Sequence, residues 1–133
     1  TGQDLRLHHY AQVDDETLSA LYANAAFCVY PSEYEGFGLP IVEAFGHGKA
    51  VIASDKGAIP ETVGAFSPCL PARDEQRWYE TMATWIADPA ARDGYEHAIR
   101  IGFRHRRWND AAEEIFGYVA ALGPQSHGGG PRW

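Results

Sequence analysis

Apolar residues come along this chain in short bursts that alternate between two periods. Ala26-Phe-Cys-Val-Tyr30 and Ala50-Val-Ile-Ala53 are continuous apolar runs bounded by turn-forming residues, the pattern of short buried strands. Leu5-Arg-Leu-His-His-Tyr10 shows partial alternation and predicts a further strand. Ser67 to Leu70 predicts a fourth, which Pro68 confines to a sheet edge because it lacks an N–H. Between these runs the period changes. Leu18, Leu21, Tyr22 and Ala25 recur at helical spacing behind Asp14, a good N-cap, with Asp15 and Glu16 favouring the helix start. Leu39 to Phe45 reads as a helix with Pro40 in its first turn and Gly46 and Gly48 at its end. Pro60-Glu61 opens a short helical turn that Gly64 stops. Asp74 caps a helix with Trp78, Met82, Trp85 and Ile86 on its apolar face. Asp88-Pro89 starts another, running to about Phe103. A last helix begins near Asn109, with Ala112, Ile115, Phe116 and Val119 as its inner face. From Gly123 the composition turns to glycine, proline and polar residues, the mark of a disordered tail.

Strands alternating with helices imply parallel pairing and an α/β fold, a Rossmann-like parallel sheet with flanking helices. Ligands in such sheets sit outside the carboxyl ends of the strands. Residues 1–122 are expected to form one domain and 123–133 the tail. A complete domain of this kind needs about five or six strands, so four predict a chain that starts partway through the domain.

Composition narrows the classes. The formal charge of −7 argues against nucleic-acid binding, which needs a basic face. The charge is concentrated: residues 1–74 hold ten acidic and four basic side chains. Cys28 and Cys69 form no metal-ligand or redox spacing. A buried free thiol is the expected state of Cys28, and a Cys28–Cys69 disulfide is the alternative in an oxidising compartment. No apolar run approaches the roughly 20 residues of a membrane span.

The chemistry concentrates in Pro31-Ser-Glu-Tyr-Glu35-Gly-Phe-Gly-Leu-Pro-Ile-Val-Glu43-Ala-Phe-Gly46. It joins the end of a strand to the start of a helix through Gly36 and Gly38. Free N–H groups and the positive dipole end at a helix start favour an anion, typically phosphate. Glycine lets backbone approach a ligand closely. Glu35 and Glu43 supply acceptors suited to hydroxyl groups. Phosphate donors beside hydroxyl acceptors suggest a sugar nucleotide. The bland alternatives are that Glu35 caps local N–H groups, Glu43 is a solvated helix residue and the glycines are ordinary turn residues.

Residues 31 to 54, PSEYEGFGLPIVEAFGHGKAVIAS, closely resemble the Glu-x7-Glu signature of the retaining family 4 (group 1) glycosyltransferases, and the resemblance extends more weakly from His8 to Ile115. It implies the C-terminal, donor-binding portion of a GT-B fold. By this resemblance Glu35, the catalytic candidate, contacts donor-sugar hydroxyls, with no protein nucleophile assigned. Glu43 lies near the nucleotide ribose. Phe37, Gly38 and Leu39 act through backbone N–H groups, Gly36 admits the ligand, and Val13 offers backbone contacts to the base. No metal and no cofactor is implied beyond the nucleoside-diphosphate-sugar donor. The acceptor, a glycan or lipid-linked molecule, would meet an N-terminal domain outside this chain. The basic residues that neutralise the diphosphate in this family also lie upstream; neither Arg6 nor Lys49 and Lys56 match them. Ala50 stands where the family commonly has proline.

Other candidates read as structural. His47 and Lys49 suit a helix C-terminus, His8 and His9 receive no catalytic role, and Glu61 suits capping. Tyr22, Trp78 and Trp85 read as core anchors. His97, Arg100, Arg104, His105, Arg106 and Arg107 form a basic cluster before Trp108, expected to be a solvated helix end, with peripheral contact to an anionic membrane as the alternative. The favoured expectation is therefore the donor-binding part of a cytoplasmic glycosyltransferase, with association at a membrane surface as the alternative. The alternatives are a truncated module that binds nucleotide or sugar without turnover, and an interaction domain docking through the basic segment. Two carboxylates also suit hydrolysis, but the phosphate-binding helix start fits a transferase better.

Overall fold

In a computed structural model, residues 6–104 and 108–123 are described. The chain divides into two compact units, residues 1–103 and 104–133. Among the described residues, the first unit is built on a three-stranded parallel sheet in the order β1-β2-β3. The strands are β1 (Cys28–Tyr30), β2 (Val51–Ser54) and β3 (Cys69–Leu70). The helices of this unit are α1 (Asp15–Asn24), α2 (Leu39–Gly46), α3 (Ile59–Val63), α4 (Glu75–Ala87) and α5 (Ala90–Gly102). The second unit contains α6 (Trp108–Leu122). This is the expected Rossmann-like α/β arrangement.

The central strand explains the architecture. All four residues of β2 are buried. It pairs through Val29↔Ile52 on one side and Ala53↔Cys69 on the other. Successive side chains point to opposite faces, so Val51 and Ala53 enter one apolar cluster, and Ala50 and Ile52 enter a second. The first cluster takes Ile41, Ala44 and Phe45 from α2 and Ile59 and Val63 from α3. The second takes Trp78 and Trp85 from α4. Helix α5 serves both, with Ala91 and Tyr95 against the second cluster and Ile99 within the first. Phe45, Phe66 and Phe103 meet edge to face, at centroid separations of 5.3 to 6.1 Å. That geometry is favourable for aromatic rings.

Local signals decide the boundaries. Asp14 accepts from the Thr17 N–H at 2.7 Å and Asp74 from the Arg77 N–H at 3.1 Å, so both expected caps form. Asp88 ends α4, and its carboxylate accepts from the Ala90 N–H at the start of α5. Pro68 contributes only its carbonyl, which accepts from Ala53 N–H at the outer edge. Ser67, buried beside it, donates to the Val51 carbonyl.

Several expectations are corrected. The described residues 6–10 form no strand, and Leu7 is 91% exposed. Their partial alternation offers few apolar side chains to bury, and they pair with no described strand. Ile86 is 72% exposed, because the apolar face of α4 is narrower than expected and turns Trp78 and Trp85, but not Ile86, to the sheet. In α6, Ile115, Phe116 and Val119 are exposed rather than an inner face. Cys28 is a free thiol as expected but, like the free Cys69, half-buried rather than buried, and burial pushes both thiols up from their ordinary value. The expected tail lies almost wholly outside the described residues.

Two predictions follow from this packing. Phe45 is 2% exposed and touches two other rings, so Phe45→Ala should destabilise the unit by about 3–5 kcal/mol in urea denaturation. Gly57 has φ +56° and its missing Cβ would stand 2.4 Å from the Glu35 carbonyl oxygen. Gly57→Ala should therefore cost more than the roughly 1 kcal/mol typical of a backbone misfit alone, and the same denaturation measurement checks it.

Candidate functional site

The loop from Pro31 to Gly38 leaves the carboxyl end of β1 and enters α2. Three neighbours fasten its backbone. Ser54, at the end of β2, donates its hydroxyl to the Ser32 carbonyl at 2.5 Å. The Ala58 N–H donates to the Glu35 carbonyl at 3.1 Å, which is possible because Gly57 presents no side chain there. Thr62, on α3, donates to the Phe37 carbonyl at 2.5 Å. The loop is thus held from the turn between β2 and α3.

At the helix start, Gly38 is the N-cap with φ +78° and ψ 48°, a left-handed conformation that favours glycine, and no side chain caps the helix. Its carbonyl accepts from Ile41 and Val42 N–H groups at 3.0 and 3.4 Å. The N–H groups of Phe37, Gly38 and Leu39 donate to no other described residue. Pro40 has no N–H to offer. Gly36 behaves differently from Gly38: a Cβ there would meet nothing within 4 Å. The fold makes no steric demand for glycine at that position. The rings and side chains of Phe37 and Leu39 are more than half exposed, so neither is core.

Each glutamate is held by a tyrosine. The Tyr30 hydroxyl, at the end of β1, donates to Glu35 Oε1 at 2.5 Å. The Tyr22 hydroxyl, from α1, points to Glu43 Oε2 at 3.1 Å and to the Pro40 carbonyl at 3.3 Å. Desolvation first, then the hydrogen bond to the carboxylate and its charge, push the Tyr30 phenol up to about 12. The same causes in the same order push Tyr22 higher still. Both phenols therefore stay protonated donors through neutral pH. Glu35 is half-buried and Glu43 exposed. Glu35 makes no capping hydrogen bond to α2, and Glu43 is more than a freely solvated helix residue.

The remaining candidates separate. Val13 is exposed just ahead of the α1 cap, and no described hydrogen bond or ring contact joins it to residues 35–43. His47 stacks on Tyr22 at a centroid distance of 5.5 Å, an arrangement no sequence signal indicated. Glu61 lies in the first turn of α3 but makes no capping hydrogen bond, so the expected capping role is reduced to a favourable charge at the helix start. His8 and His9 are exposed. Of the basic cluster, His105, Arg106 and Arg107 lie outside the described residues.

An open groove of about 730 Å³ lies at the carboxyl ends of β2 and β3, lined by Glu33, Lys56, Pro71, Ala72, Arg73 and Asp74. Arg73 and Glu33 pair across it, Nε standing 3.2 Å from Oε1, and Lys56 Nζ lies 3.2 Å from Oδ1 of the neighbouring Asp55. It includes neither Glu35 nor the glycines. The candidate site is instead the loop beside it, where uncommitted donors and held acceptors occur together. Among the described residues, no three His, Cys, Asp or Glu side chains gather as a metal-ligand set. No described helix is long and apolar enough to cross a membrane.

Sequence reasoning missed Tyr30, Tyr22, Gly57 and Thr62. Tyr30 and Tyr22 were legible only as strand and core residues, although a tyrosine five positions before Glu35 at a strand end was an available signal.

Comparison with known proteins gives the family. The chain is 31% identical to the D-inositol 3-phosphate glycosyltransferase of Corynebacterium efficiens, over 98% of this chain and 32% of that protein. It is 36% identical to the lipopolysaccharide core biosynthesis mannosyltransferase LpcC of Rhizobium leguminosarum bv. viciae, over 76% of this chain and 28% of that protein. It is 46% identical to the MMP alpha-(1->4)-mannosyltransferase of Mycolicibacterium hassiacum, over 47% of this chain and 15% of that protein. The chain thus spans a third or less of the length of these curated relatives. Residues 3–102 match the model of a family described as glycosyl transferases group 1. The chain belongs to the group 1 glycosyltransferase family.

Proposed function

We propose that this chain is the donor-binding portion of a retaining, metal-independent family 4 glycosyltransferase, within the C-terminal half of a GT-B enzyme. The observation that carries this reading is the uncapped start of α2, where three free N–H groups stand between two tyrosine-held carboxylates. The N–H groups of Phe37, Gly38 and Leu39 suit a diphosphate, since they stand without a protein acceptor at the positive end of the helix dipole. Glu35 takes hydroxyls of the transferred sugar and Glu43 takes those of the ribose. Gly36, with open space where a side chain would be, lets the donor approach the backbone. Val13 remains a backbone contact for the base.

The reaction breaks the bond between the anomeric carbon and the diphosphate oxygen and forms a bond to an acceptor hydroxyl, which loses its proton. The chain's contribution is position and charge stabilisation of the departing phosphate. Glu35 acts from the sugar side without serving as a covalent nucleophile. The named relatives include mannosyltransferases of glycoconjugate assembly, so GDP-mannose is the first donor to try, with a glycan or lipid-linked acceptor. The rest of the cleft, including the acceptor side, belongs to the larger proteins of which the relatives are examples. A cytoplasmic setting follows from the supply of nucleotide sugars.

Calorimetric titration of UDP, GDP and ADP, each with and without its sugar, tests the reading. One nucleotide should bind saturably, and Glu43→Ala should weaken it about tenfold or more, the scale of a lost charge-assisted hydrogen bond. Affinity unchanged by that substitution would remove Glu43 from the site. Gly36→Ala should leave the urea midpoint unchanged while weakening donor binding, because the added methyl meets no protein atom. A lower midpoint with unchanged binding would make Gly36 an ordinary turn residue. The purified 133-residue chain should show no sugar transfer; turnover by it would mean that its own residues complete the active site.

A further inference from the structure

We propose that Tyr30 is a positioning residue that holds Glu35 away from the start of α2, so that the N–H groups of Phe37, Gly38 and Leu39 stay open for phosphate. The proposal rests on the donor-site reading and extends it to a residue outside the glycine loop.

One attraction at this helix start is left unsatisfied. A carboxylate near an uncapped helix start is drawn to its free N–H groups, by hydrogen bonding and by the dipole. Glu35 stands three residues before the N-cap Gly38, and the N-cap itself has no side chain to occupy those donors. A carboxylate that swung onto those donors would compete with any incoming anion. The Glu35 carboxylate instead accepts a 2.5 Å hydrogen bond from the Tyr30 hydroxyl and makes none to α2. The backbone of Glu35 is independently fixed by Ala58 N–H and by the contact with Gly57. Side-chain rotation is therefore the remaining freedom, and the Tyr30 hydroxyl removes it.

Tyr30 is suited to this. Its ring packs against the cluster that includes Phe45, Val51 and Ala53, and its backbone is paired in β1 with Ala53. The hydroxyl is thus delivered from the rigid sheet, not from the loop it controls. Tyr22 differs: its hydroxyl is shared between Glu43 and the Pro40 carbonyl at longer distances, and it comes from α1, none of whose residues is buried. With Oε1 engaged by Tyr30, Glu35 still has Oε2 for sugar hydroxyls.

The test compares wild type, Tyr30→Phe, Glu35→Gln and the double variant of the 133-residue chain, titrated with GDP and UDP and with GDP-mannose and UDP-glucose. Tyr30→Phe keeps the packed ring and removes only the hydroxyl. It should weaken the nucleoside diphosphate that binds wild type by about three- to tenfold, because the released carboxylate occupies the helix start. Adding Glu35→Gln should return that affinity to within about twofold of wild type, since a neutral amide is not drawn there by charge. A hydroxyl whose role is only structural would leave the double variant at least as weak as Tyr30→Phe alone. Diphosphate affinity that Tyr30→Phe does not change, or that Glu35→Gln does not rescue, overturns the role of Tyr30. The sugar contact of Glu35 is read separately, from the gain in affinity of the sugar nucleotide over its diphosphate. If Glu35→Gln leaves that gain intact, the sugar assignment falls while the Tyr30 result stands by itself. Failure of wild type to bind any of the four ligands overturns the donor-site reading and this proposal with it.

Discussion

The structure depends on one strand being buried from both sides. β2 contributes only four residues, yet none is exposed, and its alternating side chains define the two apolar clusters. A strand so placed must be flanked by helices on each face and by parallel neighbours on each edge. That requirement explains why α2 and α3 contribute to one cluster while α4 contributes to the other. It also explains why α5 is apolar at Ala91 and Tyr95 and again at Ile99, since it serves both. The carboxyl ends of the strands are then the positions where polar loops emerge, and the signature loop is one of these.

What could be read in advance followed from how local each signal was. The parallel α/β layout, the caps at Asp14 and Asp74, the edge position of Pro68 and the extent of α2 all depend on a few adjacent residues. They appeared as expected. The errors arose where a local pattern needed a distant partner. Leu5–Tyr10 has a strand-like pattern, but alternation cannot say whether another strand is there to pair with. Ile86 lies at helical spacing from Met82, but spacing alone cannot tell how wide a face the sheet will cover. The exposed apolar residues of α6 raise the same difficulty.

The site shows the same division. Glu35, Gly38 and Glu43 were visible because they lie in one contiguous stretch. Their holders were not, because Tyr22 reaches Glu43 across 21 residues and Thr62 reaches the Phe37 carbonyl across 25. A tyrosine in an apolar burst reads as packing, and only the folded chain shows that its hydroxyl is directed at a carboxylate. The glutamates are thus conditional features: their carboxylates are held by hydroxyls that donate hydrogen bonds while keeping their protons. Both phenols, raised well above neutrality, remain in that protonated state under ordinary conditions.

The missing side chain of Gly57 has a consequence for anyone who would transplant this loop. Residues 31–38 are not a self-contained cassette, since Ser54, Gly57, Ala58 and Thr62 hold their backbone from another part of the chain. A designer who grafted only PSEYEGFGLP onto a different sheet would carry over the letters without the scaffold. The smallest transferable piece runs from Tyr30 through Val63, which includes β2 and the helices on either side of it in sequence. Evolutionary exchange of the loop within such a fold would likewise have to move this longer block together, or adjust the turn after β2 whenever the glycine loop changes.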